Sequence, residues 1–481
     1  MKNYNYNIGS SLLNTNCLAL FGLSVIPLIS NATEVKNVRP NVVFIITDQQ
    51  SYNMLSSYGN KWVKTPNIDK ISQIGTRFDN TYCANPLSMP SRFSLLTGHY
   101  SSEVGEKTNG HKFNREKAAE ISQNDGLGFL FRKAGYTTLY SGKTHLMGEN
   151  ESEDYGFELH GLNPYEGPAI YAEKVIPELA QTKKPFFLFL SFMNPHDICY
   201  GAGIDPRYPD KLPAENVIET KRFLDFKKSL TPEQYKSQIP PKPANFRPIT
   251  DEPKEMASTW ARDTWNDEQW DLYRWMYCRL TESVDEQIGR VLASLEKSGM
   301  MENTIIVFTS DHGEMDGSHG FTTKNVMFEE CQRVPLIFAG KGIKANKVDK
   351  TTLVCNGLDF IPTICDLTGI EYSKKLTGMS LQSKLTGKGK PVLRKYMITE
   401  DCNAYQIHDG RYKLTIFELP GNPEMLTDIK NDPGETTNLS NDPSLAKIKA
   451  DLKKILLDDL TKRGLLPLDQ NRTRAFLRKM T

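Results

Sequence analysis

Short apolar runs without polar alternation recur along the chain, and they constrain the fold more than any other feature. A helix-like or loop segment follows each run. The runs are Asn41 to Ile46, Thr137 to Ser141, Pro185 to Phe192, Thr304 to Thr309 and Val334 to Phe338. Continuous apolar runs are typical of strands buried on both faces, as in a parallel sheet covered by helices. The sequence therefore predicts an α/β fold, with a large and mostly parallel sheet sandwiched between helices.

The pattern changes towards the C-terminus. From about Pro391, segments such as KYMITED and GRYKLTIFEL are separated by HDG and PGN, which is typical of an antiparallel meander. Before it, apolar residues spaced by four and three from Leu280 to Leu295 predict a strong helix, which Gly299 ends. We therefore expect a main domain over residues 33–388 and a smaller α+β subdomain with an antiparallel sheet over residues 389–481.

The first 32 residues resemble an export signal. A polar start containing Lys2 precedes the apolar run from Leu18 to Ile29, and Ser30 and Ala32 suit signal peptidase. The run is too short to span a bilayer. We expect a signal peptide over residues 1–32, a mature chain that begins near Thr33, and no membrane span. A poorly ordered N-terminal extension is the alternative.

The charge balance argues against a nucleic-acid partner, and the cysteine spacing argues against a zinc site or a disulfide scaffold. Lys and Arg total 59 against 58 Asp and Glu, so the chain has no global field to attract nucleic acid. Beyond residue 32 the cysteines are scattered without CxxC spacing, which indicates buried apolar side chains rather than a zinc site or a disulfide scaffold. They are Cys83, Cys199, Cys278, Cys331, Cys355, Cys365 and Cys402.

Polar side chains follow four of the apolar runs, where an open α/β sheet gathers its reactive groups. These are Asp48 and Gln49, Lys143 and His145, Asn194 and His196, and Asp311 and His312. Taken singly, each residue is more often a helix cap or a packed side chain. As a set they offer carboxylate and amide oxygens to a hard cation, and lysines and histidines to an anion. The set predicts a metal-assisted site for a tetrahedral oxyanion.

The stretch NPLSMPSRFSLLTG contains a predicted helix start. Ser88 lies at the helix N-terminus and Pro90 in the first turn, where its missing N–H costs nothing. Ser88 could be a plain N-cap, worth about 1 kcal/mol. That interpretation leaves Arg92 unexplained, because the helix dipole disfavours a cation at this end. An arginine is expected there if an anion also binds there.

These motifs resemble the formylglycine-dependent sulfatases of the alkaline phosphatase superfamily, whose signature has Cys or Ser, any residue, Pro, Ser and Arg before Leu-Thr-Gly. The likeness continues through TPNIDKISQIGTRFDNTYC, GYTTLYSGKTHLMG, NPHD, FTSDHGEMDGSHG, the KNVMFEECQRVPLIFAG region, LDFIPTICDLTGI and DIKNDPGETTNLS. It implies a sulfatase catalytic domain over residues 33–388. It also implies that Ser88 is oxidised to formylglycine, whose hydrate is the nucleophile.

The resemblance implies roles for further residues. A divalent cation, usually calcium in this family, would bind at Asp48, Gln49, Asp311 and His312. Many members have Asp in place of Gln49 and Asn in place of His312, so His312 could contact sulfate or the hydrate instead. The residues that match those holding the hydrate and the sulfate oxygens are Arg92, Lys143, His145, His196 and Lys324. Asp311 or His145 could act as the base, and His196 as the general acid with His319 as its competitor.

The substrate is the least constrained prediction. The Lys324 segment and the Asp-His pair look closer to the iduronate 2-sulfatase and choline-sulfatase branches than to the arylsulfatases, so we expect a sulfated saccharide such as a heparan sulfate fragment. Phosphate or phosphonate esters, choline sulfate, and binding of glycans without turnover are the alternatives. His319 is a candidate substrate contact, and His408, Arg411 and Lys413 are candidate rim contacts. Residues between Gly201 and Trp275 are further candidates, unless these only pack on the core. Those residues are Tyr208, Arg222, Phe226, Tyr235, Arg247, Trp260, Arg262, Trp265 and Trp270.

A serine-type signature also implies a partner. The resemblance points to a bacterial, anaerobic sulfatase-maturating enzyme that oxidises Ser88 before the chain folds and is exported. The mature protein is then expected in the periplasm or outside the cell.

Overall fold

The computed structural model describes residues 39–161, 163–182, 184–201, 214–246 and 265–468. The predicted signal peptide lies outside these residues, and so do Tyr208, Arg247, Trp260 and Arg262. From Arg39 onward the chain forms one compact unit. The boundary expected at residue 389 stays a prediction.

The strands form one large sheet and two small ones. The large sheet contains β1 (Asn41–Asp48), β2 (Gly75–Phe78), β4 (Thr137–Gly142), β5 (Glu158–Leu159), β6 (Phe186–Pro195), β7 (Thr304–Ser310), β8 (Leu336–Gly340) and β9 (Lys347–Asp349). The small sheets contain β3 (Thr81–Tyr82) with β10 (Val354–Cys355), and β11 (Met397–Glu400), β12 (Ala404–His408), β13 (Tyr412–Phe417) and β14 (Glu424–Asp428). All five apolar runs therefore form strands of the large sheet, as predicted.

The large sheet is mostly parallel. Its order is β5-β4-β6-β1-β7-β8-β2-β9, and the five strands from β5 to β7 run parallel. Ile45 of β1 pairs with Leu190 of β6 on one side and with Phe308 of β7 on the other. β8 is antiparallel to both β7 and β2. The predicted fold class is confirmed, and the parallel strands bring four predicted polar segments to one edge.

Helices cover both faces of the sheet. They are α1 (Pro66–Gln73), α2 (Ser88–Thr97), α3 (Arg115–Asp125), α4 (Leu127–Lys133), α5 (Gly167–Ala180), α6 (Ile198–Gly201), α7 (Ala214–Ser229), α8 (Pro232–Lys236), α9 (Asp267–Lys297), α10 (Glu329–Gln332), α11 (Asn356–Thr368), α12 (Gln382–Thr386) and α13 (Ala446–Lys462). Successive β1 side chains point to opposite faces. Phe44 belongs to a core with Phe93 of α2 and Phe360 of α11, whereas Ile45 belongs to a second core with Ile288 of α9. The sheet therefore lies between two buried helical layers.

The C-terminal strands form the predicted antiparallel meander, in the order β11-β12-β13-β14. α13 packs on this sheet through Leu452, Leu456 and Leu460. A buried ion pair of 2.6 Å joins Lys107 Nζ to Glu418 Oε2, immediately after β13. The small sheet is therefore attached to the main part by charge as well as by apolar packing.

Part of the segment between Gly201 and Trp275 packs on the body of the protein. Trp265 and Trp270 are buried, and their ring centroids lie 4.9 Å apart. Tyr235 contacts the ring of Trp275 edge-on at 5.5 Å. Phe226 remains 44% exposed. The packing interpretation is therefore confirmed for Trp265 and Trp270.

The seven cysteines named above are free thiols in the structure, and six of them are buried. The prediction that they act as apolar side chains without forming a disulfide scaffold is confirmed for these residues. No helix in the described part of the chain combines the length and apolar character needed to cross a membrane.

Candidate active site

Four adjacent parallel strands end at one edge of the sheet, in the order β4-β6-β1-β7. Lys143 follows β4, His196 follows β6, Asp48 ends β1 and Asp311 follows β7. Because parallel strands place their carboxyl ends together, these residues converge. Lys143 Nζ lies 2.7 Å from Asp48 Oδ2. We call Asp48, Arg92, Lys143, Asp311, His312 and Lys324 the strand-end cluster.

Ser88 is the first residue of α2, and its hydroxyl faces this cluster. Leu87 is the N-cap, and it makes no side-chain cap hydrogen bond. Ser88 Oγ instead lies 3.0 Å from His312 Nε2, and the residue is fully buried. The N-cap interpretation of Ser88 is therefore wrong, because Ser88 is already the first residue of the helix, whereas a capping serine would precede it. Pro90 lies in the first turn, as predicted.

Arg92 connects three strand ends. It donates from Nε to Asp311 Oδ2 at 2.9 Å, from Nη2 to Asp48 Oδ2 at 3.1 Å, and from Nη1 to Ser191 Oγ at 2.7 Å. Burial acts to lower the pKa of Arg92, but the Asp311 and Asp48 carboxylates outweigh burial and raise it. The anions that Arg92 meets at the helix start therefore include two carboxylates of the chain itself. Its contact with a bound sulfate stays a prediction.

Asp48, Asp311 and His312 fit a divalent cation. Their potential ligand atoms lie within 4.8 Å of one another, and all three residues are buried. Asp48 Oδ1 has no hydrogen-bond partner among the described residues. Burial and the Asp48 charge raise the pKa of Asp311 to about 7, as expected when two carboxylates share a site that a cation would neutralise. The donor set is therefore suited to a metal.

The ring orientation of His312 can be read from its contacts. Its Nδ1 lies 2.9 Å from the Gly313 carbonyl oxygen, which can only accept, so Nδ1 carries the hydrogen. Nε2 then directs a lone pair towards Ser88, and it lies 3.6 Å from Asp311 Oδ1 and 3.8 Å from Asp48 Oδ1. Burial, together with Lys324, lowers the pKa of His312. The neutral ring can therefore serve as a ligand or as an acceptor for Ser88.

Gln49 follows β1 with a positive φ of 67°, unusual for a residue with a side chain. Its Oε1 accepts from Lys324 Nζ at 2.6 Å and from Cys199 Sγ at 3.1 Å. Its Nε2 donates to Glu314 Oε2 at 2.5 Å. The amide oxygen thus lies beside Lys324, whose Nζ is 4.0 Å from Asp48 Oδ1.

The remaining basic groups make the site electropositive. Burial lowers the pKa of Lys143, against the attraction of Asp48. Burial and Lys143 lower the pKa of His145 to about 3, and they also lower that of His196. Both imidazoles are therefore neutral near pH 7 in the absence of a bound anion. Contact of the two lysines and two imidazoles with a sulfate group stays a prediction.

Three predicted substrate contacts have other partners in the structure. His319 is buried and stacks on Phe328, with ring centroids 4.2 Å apart. His408 is buried against the edge of Tyr82 at 4.9 Å. Arg411 pairs with Asp428 at 2.7 Å. Within the described residues, the hydrogen bonds and ion pairs do not join His319, His408 or Arg411 to the strand-end cluster. Their substrate roles stay predictions.

Two residues with close contacts to the site were missed from the sequence. Glu314 holds the Gln49 amide, and Tyr273 of α9 donates to Glu314 Oε1 at 2.6 Å. Glu314 could have been suspected because it shares the DHGE motif with Asp311. A Cβ on Gly313 would lie 1.9 Å from the Glu330 carbonyl oxygen, so the motif needs glycine at this close approach. Tyr273 has no local signal, since it lies in a long amphipathic helix.

Comparison with known proteins identifies the family. The model of the sulfatase family matches residues 40–370. A second model, described as the C-terminal part of N-sulphoglucosamine sulphohydrolase, matches residues 317–462. The chain belongs to the sulfatase family, and it is a sulfuric ester hydrolase. The family predicted from the sequence motifs is confirmed.

Individual relatives match along most of their length. A Delta 4,5-hexuronate-2-O-sulfatase of Bacteroides thetaiotaomicron is 30% identical, over 88% of this chain and 89% of the relative. An N-acetylglucosamine-6-O-sulfatase of the same organism is also 30% identical, over 89% and 87%. A solved 2-O GAG sulfatase superposes with a TM-score of 0.76 at 28% identity, over 91% of this chain and 96% of that one.

Proposed function

We propose that this protein removes sulfate from glycosaminoglycan-type saccharides, using formylglycine made from Ser88 and one calcium ion. One observation carries the proposal: Ser88 Oγ lies at the start of α2, 3.0 Å from His312, beside the carboxylates of Asp48 and Asp311. The saccharide is supported by two relatives, which are named for sulfate on a hexuronate and on N-acetylglucosamine. Uronate 2-O esters are the first substrates to test, followed by 6-O and N-sulfated hexosamines.

The modification of Ser88 solves a chemical problem. A serine hydroxyl that attacked sulfur would leave a stable sulfate ester with no easy second step. A hydrated aldehyde supplies a second hydroxyl through which sulfate can be expelled. A cation held by Asp48, Asp311 and His312, with the Gln49 amide oxygen as a further ligand, would polarise the sulfate oxygens and lower the pKa of the nucleophile.

The other side chains hold the sulfate and move protons. Lys143 lies 2.7 Å from Asp48 Oδ2 and Lys324 lies 4.0 Å from Asp48 Oδ1, where both can bind sulfate oxygens. Arg92 fixes both carboxylates and thereby their distance from Ser88. His145 is the remaining basic group, and it or Asp311 would take a proton from the nucleophile.

His196 is our choice of general acid. Burial and Lys143 lower the pKa of His196 in the free protein, but a bound sulfate would favour the protonated ring that a general acid needs. His319, the competitor, stacks on Phe328 and interacts electrostatically with Lys413 instead. His196→Gln is therefore expected to impair esters with poor leaving groups more than activated aryl esters. An equal loss for both would contradict this assignment.

Maturation and location form the second part of the proposal. We propose a signal peptide over residues 1–32, a periplasmic or secreted product, and oxidation of Ser88 by an anaerobic sulfatase-maturating enzyme. N-terminal sequencing of the native protein should start near Thr33. Recovery of Met1 from a cytosolic fraction would contradict export.

The decisive experiment is a peptide mass spectrum of protein from its native host. The peptide that contains Ser88 should have lost two hydrogens, and chelation should abolish turnover in a way that calcium restores. An unmodified Ser88 in active enzyme would exclude the mechanism. An unmodified and inactive protein that binds sulfated glycans would favour the binding-protein alternative.

A substrate panel then separates the remaining alternatives. Defined sulfated mono- and disaccharides, choline sulfate and a phosphonate ester are compared, with Ser88→Ala as the control for contaminating activity. Release of sulfate from a saccharide supports the proposal. Hydrolysis of choline sulfate or the phosphonate ester, without any sugar desulfation, would overturn the substrate but not the nucleophile.

A further inference from the structure

Glu314 is a fully buried carboxylate that the mechanism above does not use. It lies in the loop after β7, three positions beyond Asp311. Tyr273 donates to its Oε1 at 2.6 Å, and the backbone N–H groups of Thr323 and Asp316 donate to the same oxygen at 2.5 Å and 3.2 Å. Gln49 Nε2 donates to its Oε2 at 2.5 Å. The two backbone N–H groups can only donate, so Oε1 is an acceptor. Lys324 Nζ can also only donate, so the Gln49 amide points its oxygen at Lys324 and its nitrogen at Oε2 of Glu314.

This arrangement determines which end of the Gln49 amide faces the site. A side-chain amide has one accepting and one donating end, and these can exchange by rotation. Because Glu314 accepts, the amide nitrogen of Gln49 must face it. The amide oxygen is thereby turned towards Lys324 Nζ, 2.6 Å away.

The same carboxylate also anchors the segment that carries Lys324. Its bond from the Thr323 backbone N–H fixes the residue before Lys324. Thr323 has a positive φ of 70°, a conformation that a β-branched residue rarely adopts without support. One buried carboxylate therefore holds Gln49 from one side of the site and the Lys324 segment from another.

We propose that Glu314 is the positioning residue that directs the Gln49 amide oxygen towards the cation. The inference rests on the proposed cation site. It assigns to Glu314, which does not itself bind the cation, the orientation of a residue that does. In Glu314→Gln, the three donors that contact Oε1 still need an acceptor, so the oxygen of the new amide occupies that position. The new amide nitrogen must then face Gln49, whose own amide turns over and presents its nitrogen to Lys324 and to the cation.

The test measures Ca²⁺ binding by calorimetry, independently of turnover. Glu314→Gln should bind Ca²⁺ about 10- to 100-fold more weakly than the unaltered protein, the range for partners that orient metal ligands. Glu329→Gln is the matched control: it also removes a buried carboxyl charge, but at a residue bonded to Tyr82 and Lys413. This control should keep its Ca²⁺ affinity within about 2-fold even where its melting temperature falls.

A double-mutant cycle with Gln49→Ala separates positioning from general damage to the fold. If Glu314 acts through the Gln49 amide, adding Glu314→Gln to Gln49→Ala should change the Ca²⁺ affinity by less than about 2-fold. Full, independent losses from the two substitutions would overturn the proposal. If Glu314→Gln does not fold, Tyr273→Phe loosens the same carboxylate and should weaken binding several-fold only when Gln49 is present. Unchanged binding in Tyr273→Phe would then overturn it.

The outcomes also distinguish this inference from the proposed function. Unaltered protein that binds no Ca²⁺ would overturn the cation site and the role of Glu314 together. Tight binding by the unaltered protein that persists in Glu314→Gln would overturn only the role of Glu314.

Discussion

The strand-end cluster and a second buried charge cluster contain the same kinds of residue but differ in how completely they are paired. The second, which we call the junction cluster, consists of Tyr82, Glu329, Lys413 and Glu435, and it links β3 and α10 to the C-terminal meander. Lys413 Nζ lies 2.9 Å from Glu435 Oε1 and 3.3 Å from Glu329 Oε1. Tyr82 donates to Glu329 Oε2, and the Glu329 backbone N–H donates to Glu435 Oε2. Every carboxylate oxygen of this cluster has a partner.

The two buried lysines show what the difference means. Although burial opposes it, Glu435 and Glu329 raise the pKa of Lys413. Burial instead lowers the pKa of Lys143, where Arg92 and Lys324 add to the effect of burial and only partly offset Asp48. Lys413 contacts two carboxylates, whereas Lys143 contacts one, that of Asp48, near two further cations. The other Asp48 oxygen has no hydrogen-bond partner among the described residues. The two clusters therefore differ in their balance of charge and in the unmet bonding capacity of Asp48.

The strongest test of this comparison is Ser88→Ala. We expect kcat/KM to fall by at least about 10³-fold, because the nucleophile is lost, while the melting temperature stays nearly unchanged. The hydroxyl does not cap α2, so its removal takes no cap from the helix. Steady-state kinetics and a thermal melt check this. Ser94→Ala is the control, since its hydroxyl bonds only the Pro90 carbonyl oxygen of the same helix; a similar activity loss there would refute a special role for Ser88.

Replacing each buried lysine by methionine tests the comparison directly. Lys413→Met leaves two buried carboxylates facing each other, so the free energy of unfolding should fall by about 3 to 5 kcal/mol, with activity retained in the folded protein. Lys143→Met should lower kcat about 10²- to 10³-fold and change stability by less than about 1 kcal/mol. Urea unfolding and initial rates measure the two effects. Equal stability losses would show that both clusters are structural.

The pKa values of three histidines show a similar contrast, between a ring beside carboxylates and rings beside lysines. His99 lies between Glu103 and Asp125, 3.0 Å from each. Although burial opposes it, these carboxylates raise the pKa of His99 to about 9, above its ordinary 6.5. The stabilisation is therefore complete below about pH 6.5 and is lost as the pH rises through 9. By contrast, the pKa values of His145 and His196 are lowered.

We therefore expect His99→Gln to lower the free energy of unfolding by about 1 to 3 kcal/mol at pH 6 and by much less at pH 10. Urea unfolding of both proteins at the two pH values measures the difference, and other groups that titrate cancel in the comparison. A gap that is independent of pH would show that the imidazole is not held charged by its two neighbours.

Local patterns in the sequence predicted the sheet and much of the site. The apolar runs gave the strands, and the topology then had to bring Asp48, Lys143, His196 and Asp311 to one edge, since they follow adjacent parallel strands. The helix predicted from Leu280 was found, but α9 begins at Asp267, because buried aromatic residues such as Trp270 and Tyr273 continue the apolar spacing towards its N-terminus.

The parts that could not be predicted depend on contacts between distant segments. The bond between Gln49 and Glu314 joins residues 265 positions apart, and the antiparallel direction of β8 depends on its connection rather than its composition. Ser88 could be interpreted as a cap because cap preference is local, whereas its actual partner, His312, lies 224 positions further along the chain. A single sequence contains the residues of such contacts but no signal of their pairing.

The smallest expected effect concerns Arg411, an exposed residue that could stabilise the fold or bind substrate. Two nitrogens of Arg411 donate to the two carboxylate oxygens of Asp428 in three hydrogen bonds, but the Arg411 side chain is 44% exposed. Solvent screens such a pair, so Arg411→Ala should leave the free energy of unfolding almost unchanged, in contrast to Lys413→Met two positions away. Urea unfolding tests this expectation, and KM for a sulfated disaccharide tests the predicted rim contact in the same variant. A raised KM with unchanged stability would assign Arg411 to substrate binding. An unchanged KM would leave the exposed pair with neither role and remove Arg411 from the predicted site.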